Sequence, residues 1–144
     1  MRIAAVISFF ALFQAIIMPA QKINSQTPMS DSIIGEWFTQ DNSSIVKIYK
    51  SGSVFYGQVV WLKVPINADG QMQRDKRGVP IVGSTILSSL NYVSDGSWSE
   101  GLMYVGPRGA TYSCIVKMLD NDTIEIRVTM ELGITKVEKW KRRA

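Results

Sequence analysis

From Gly35 onward, apolar and polar positions alternate with a period of two, not 3.6, as half-buried strands do. Gly35 to Thr39 reads as a short strand, closed by a turn at Asp41-Asn42-Ser43. Ser44 to Lys50 is β-branched and alternating, with Val46 and Ile48 on one face and Lys47 and Tyr49 on the other. Ser51-Gly52-Ser53 is a tight hairpin connection into Val54 to Leu62. There Phe55, Gly57, Val59 and Trp61 share one parity. Trp98 to Tyr104, Thr111 to Leu119, Thr123 to Met130 and Ile134 to Lys141 are further strands. Pro107-Arg108-Gly109 and Asp120-Asn121-Asp122 punctuate them.

Consecutive strands joined by short turns are antiparallel neighbours. Seven or eight of them in so short a chain predict closure into an all-β, up-and-down barrel, which removes exposed edges. A sandwich is the rival, disfavoured by the simple hairpin order and the lack of a paired-cysteine staple. One region breaks the rhythm. Val64 to Pro80 is long, polar and mixed in charge, a connection expected to be functional or mobile. Beyond it, Ile81 to Leu90 fits either a strand or one short helix.

The chain has 144 residues, enough for one domain with a real core. Arg2 followed by the apolar run Ile3 to Met18 and a small-residue site at Pro19-Ala20 reads as a secretory signal over residues 1–20. A second cleavage site follows Ser25, and a membrane anchor is the competing reading of the run. The expected organisation is a leader, a flexible segment over 21–33 and a barrel over 34–142, secreted or periplasmic. The lone Cys114 cannot form an internal disulfide; it is a buried core residue or a free thiol.

Composition narrows the chemistry. With no histidine, the usual Ser-His and Cys-His nucleophile pairs and His/Cys zinc sites are excluded. No metal, cofactor or catalytic residue is assigned. The carboxylates Glu36, Asp95, Glu100 and Glu125 are scattered, so a carboxylate hydrolase is only a remote alternative. Asp69, Asp75 and the Asp120–Asp122 turn follow no calcium-loop pattern. The net charge is +4, with basic residues gathered at Lys139, Lys141, Arg142 and Arg143. That end could touch an anionic envelope surface weakly; no basic stripe suits nucleic acid. The oligomeric state is not legible.

Several fragments recur in a telling order: Gly35-Glu36-Trp37, Ile45 to Tyr49, Tyr56 to Leu62, Pro80 to Gly83 with Ile86-Leu87, then Trp98, Gly101, Tyr104, Gly109, Tyr112-Ser113-Cys114 and Trp140-Lys141-Arg142. This series, over Ile34 to Arg142, resembles the bacterial secreted-protein family called domain of unknown function 2147, which is similar to lipocalins in fold. Where that family tends to carry Asp-Pro after the tyrosine, this chain has Val105-Gly106-Pro107, so any role of that aspartate does not transfer. Gly35-x-Trp37 looks like the first-strand signature of lipocalin-like barrels. The resemblance implies a tryptophan at the barrel end beneath a C-terminal arginine, Arg142 first and Arg127 second. It implies no activity.

The expected function is therefore the binding of a small, mainly apolar ligand inside the barrel. Its contacts are expected from Phe55, Trp61, Trp98, Tyr104 and Tyr112, since aromatic side chains give large contact area at low entropy cost. Core filling by the same residues is the alternative. It would make the protein an envelope interaction module with a filled barrel.

Overall fold

The computed structural model describes residues 15–19 and 29–144. Apart from 15–19, the expected leader lies outside the described residues, as do residues 21–28. Eight strands form a closed antiparallel barrel in sequence order: β1 (Gly35–Phe38), β2 (Ser44–Ser51), β3 (Val54–Leu62), β4 (Thr85–Ser94), β5 (Ser97–Val105), β6 (Ala110–Asp120), β7 (Thr123–Thr129) and β8 (Thr135–Arg142). β1 closes the ring on β8 through the Trp37–Arg142 and Phe38–Lys141 pairs. The only helical pieces among the described residues are 3-10 turns at Met29–Ile33, Gly106–Arg108 and Glu131–Gly133. The stretch open to two readings resolves as a turn followed by strand β4.

The up-and-down order gives the barrel two unlike ends. One carries the tight turns after β2, β4 and β6 together with the chain entering β1. The other carries the β1–β2 turn, the long β3–β4 connection, and the β5–β6 and β7–β8 loops.

At the first end the interior is solid. Phe55, Trp98 and Ile124, each near that end of its strand, are fully or almost fully buried with Trp37, Ile48, Leu90 and Val116. Phe55 and Trp98 meet edge to face at 6.3 Å, an arrangement favoured by ring quadrupoles. The 3-10 turn at Met29–Ile33 plugs this end. Ile33 is buried, and Trp37 Nε1 donates to its carbonyl at 2.9 Å. Residues 29–33, which fall within the segment expected to be flexible, are thus packed against the barrel.

Arg142 fastens the plug. Its guanidinium lies 4.2 Å from the Trp37 ring centroid and donates to the carbonyls of Ser32, Ile34 and Asn121. Arg142, not Arg127, is the stacking partner; Arg127 pairs with Glu125 on the outer surface. The glycine before Trp37 is required twice. Gly35 has φ +144°, and a Cβ there would stand 2.8 Å from the Arg142 guanidinium.

Register shifts interrupt several of the strand pairs, and two of these β-bulges set which residues of β3 and β5 face inward. Val46 pairs with Val59 but Ile45 pairs with Trp61, so β3 carries one extra residue, Val60. In β5 the pairs Trp98–Val116 and Gly101–Cys114 leave two residues opposite one, with Glu100 in the left-handed region at φ +58°. A one-residue insertion sends every later side chain to the opposite face. The inward set of β5 is therefore Trp98, Gly101, Met103 and Val105. Gly101 permits close packing, since a Cβ there would meet Leu90 Cδ2 at 2.5 Å and Cys114 Sγ at 2.8 Å. Cys114 is a buried core residue, and burial pushes its thiol up to about 12.

Candidate functional site: a cavity at the open end of the barrel

The other half of the barrel is hollow. A cavity of about 820 Å³ opens between the β1–β2 turn, the β3–β4 connection and the β5–β6 loop. Its volume falls within the roughly 300–1,000 Å³ of ligand pockets. Val59, Leu62, Ile81, Ile86, Met103 and Val128 form an apolar wall. These are medium-sized side chains, whereas the interior of the solid half is filled by tryptophan and phenylalanine. The space exists because of that difference.

Strand β8 supplies a graded polar face. Lys136, Glu138 and Trp140 pair with Val128, Ile126 and Ile124, whose side chains are core, and all three line the cavity from mouth towards floor. Trp140 is fully buried. Its Nε1 donates to Glu138 Oε2 at 2.9 Å, while Lys136 Nζ stands 2.9 Å from Glu138 Oε1. The Glu138 side chain is 19% exposed against 52% for Lys136. Beside them, Asp41 of the β1–β2 turn accepts from the Ser43 hydroxyl, the Ser43 amide and the Thr39 hydroxyl. The Ser43 hydrogen bonds hold its carboxyl below the usual aspartate range. Gln40 Oε1 ties the same turn to β8 by accepting the Lys139 amide at 2.9 Å.

The opposite side of the mouth is built by the long connection. It is not featureless: isolated bridges join Ile66 to Met72 and Arg74 to Pro80. Asp75 caps the second turn, accepting from the Arg77 and Val79 amides and from the Arg77 guanidinium through two bonds of 2.7 and 2.9 Å. Those bonds lower the Asp75 carboxyl, the Arg77 side chain contributing most. The Arg77 guanidinium then lies 3.9 Å from the Tyr104 ring centroid. This latch sets Arg74, Asp75 and Lys76 against the cavity mouth.

The five aromatics expected to contact ligand are dispersed. Tyr104 alone borders the cavity. It does so at the rim, because the β5 bulge turns it away from the parity it would share with Trp98 and under the Arg77 latch; its buried hydroxyl has no well-formed hydrogen bond. Phe55 and Trp98 belong to the solid half. The Val60 bulge puts Trp61 on the outer surface, 41% exposed and edge-on to Phe38. Tyr112 keeps the inward parity of Cys114 at the mouth end of β6, opposite Met103 and packed against the core, but it does not line the cavity; its hydroxyl bonds to Glu131, which also pairs with Arg108. The expected placement of the long connection at the mouth agrees with the geometry. The β8 face was missed. Its signal was the parity shared by Lys136, Glu138, Trp140 and Arg142, which puts charge on the inward side of a strand.

Among the described residues, no group of three or more Cys, Asp or Glu side chains stands close enough to hold a metal ion. The geometry defines a small cup-shaped β-barrel with one closed end, the architecture of lipocalin-like proteins. The sequence pattern of a family described as "uncharacterized protein conserved in bacteria (DUF2147)" matches residues 35–142, and the chain belongs to that family. Among solved structures it is similar to HP1028 from the human pathogen Helicobacter pylori, a protein described as belonging to the lipocalin family. The identity is 22% and the TM-score 0.60, over 77% of this chain and 82% of that one, a likeness of fold. No curated protein matches the chain.

Proposed function

We propose that this protein is an exported carrier or sensor that holds a small, mainly apolar molecule in the open half of its barrel. The observation that supports the reading most is the cavity itself: an apolar well, open to solvent at one end, above a solidly packed floor. A barrel serving only as an interaction scaffold has no need of that space. Enclosing about 300 Å² of apolar ligand surface contributes about 7 kcal/mol. Association costs of at least about 4 kcal/mol offset much of it, so affinity is expected to be weak, at best micromolar. The residues at the cavity offer no histidine base and no assembled nucleophile, so binding without turnover is the reading.

Export rests on the apolar run Ile3 to Met18 and the sites after Ala20 and Ser25. N-terminal sequencing of the protein from its own host should find a start at Gln21 or Gln26; an intact Met1 on membrane-embedded material would argue for an anchor instead. Binding is tested with the uncharged apolar fluorophore N-phenyl-1-naphthylamine. Its emission should rise on titration with wild type and should not rise with Val128→Phe, which fills the well. Equal signals from both proteins would place the probe outside the cavity and remove the support for this reading.

A further inference from the structure

We infer that the cavity selects a cationic amphiphile, an apolar body bearing an ammonium group, with Glu138 as the counter-ion and Lys136 as a placeholder for the ligand's charge. The inference rests on the cavity-binding reading and deepens it. Glu138 is the one carboxylate on the inward face of β8, midway between mouth and floor. One of its oxygens is fixed by the indole of Trp140, which is fully buried and cannot swing away. The other is held only by Lys136, whose side chain is half exposed and free to leave for water. A carboxylate with one immobile donor and one displaceable cation is a built receptor for a second cation.

The charge count on that side points the same way. Asp41 and Glu138 line it with Lys136 alone as a cation, and among the described residues Asp41 has no salt-bridge partner. An incoming ammonium balances the side and releases the lysine. Arg74 and Lys76 across the mouth are the rival anchors, and they would favour an anionic head group. They are exposed, however, and Arg74 already donates to the Gly78 carbonyl. Exposed charges are screened and discriminate little, whereas a carboxylate in a low-dielectric wall discriminates strongly.

The test compares decylamine, decanol and decanoate as competitors for bound N-phenyl-1-naphthylamine, with equal chain lengths and below their aggregation limits. With wild type, decylamine should compete about tenfold better than decanol, the size of one charge-assisted hydrogen bond. Decanoate should be the weakest. Glu138→Gln, which keeps an acceptor for Trp140, should bring the amine-to-alcohol ratio to about one. Lys136→Gln should raise that ratio above the wild-type value, an outcome that a merely structural ion pair does not produce; melting curves establish that both variants fold. If decanol competes and decylamine has no advantage, or if decanoate is preferred, the head-group inference is overturned while the apolar cavity stands. If none of the three displaces the probe, the cavity reading falls and takes the inference with it.

Discussion

The two halves of the barrel share the same eight strands and differ in what points inward. The closed half spends its interior on Trp37, Phe55 and Trp98, and no space remains. The open half presents Val59, Ile86, Met103 and Val128, with Glu138 and Lys136 among them, and encloses about 820 Å³. Stability and recognition are therefore assigned to different ends. The plug end concentrates buried area and directional bonds around Arg142. The mouth end concentrates charge, loop and empty volume. A single barrel can carry a cavity because its other half supplies the packing that the cavity forgoes.

Substitutions at the two ends should behave oppositely. Trp37→Ala is expected to have the largest effect, a loss of about 3–5 kcal/mol, because it empties the plug and strips Arg142 of its ring. Denaturant unfolding measures it, and an unchanged midpoint would break the division. Gly35→Ala comes next, at about 1–3 kcal/mol, since it combines a positive φ with a Cβ directed at the Arg142 guanidinium. Val128→Phe should cost less than about 1.5 kcal/mol, because its added atoms enter open volume, yet it should abolish probe binding. Trp61→Ala, on the outer surface, should shift stability by less than about 1 kcal/mol and leave probe binding intact.

The smallest effect sharpens the comparison at the mouth. The Asp75 carboxyl is held below its unfolded value, chiefly by Arg77, so its stabilisation is fully present above the ordinary aspartate range. It is lost as pH falls through the lowered folded value. Hydrogen exchange of the Arg77 and Val79 amides should accelerate there while the plug end stays protected. Loss of protection at both ends together would show that the latch is part of the barrel's cooperative unit.

Much of the fold was legible because alternation and turn chemistry are local. The strands and hairpin turns follow from period two and from Gly, Asn and Asp at the connections, and the Gly35-x-Trp37 signature located the plug. The lining of the cavity was not legible, for one physical reason. Extrapolating parity along a strand assumes an unbroken ladder, and nothing in Val60 or Glu100 as residues announces a bulge. One extra residue in β3 sent Trp61 outside, and one in β5 sent Tyr104 to the rim. Where no bulge intervened, parity held: Lys136, Glu138, Trp140 and Arg142 do share the inward face of β8. Weighting aromatics over inward charges hid that face. Bulk alone could not tell Phe55 and Trp98 from cavity residues, because packing fills one half of the barrel and not the other.

The most direct test is a methyl-resolved NMR titration of the full chain with decanol. The account predicts shifts confined to the open half, at Val59, Ile86, Met103 and Val128, with Leu90, Val116 and Ile124 unmoved. Shifts at Leu90, Val116 and Ile124, or none at the four cavity positions, would contradict a barrel divided into a packed floor and a binding cup.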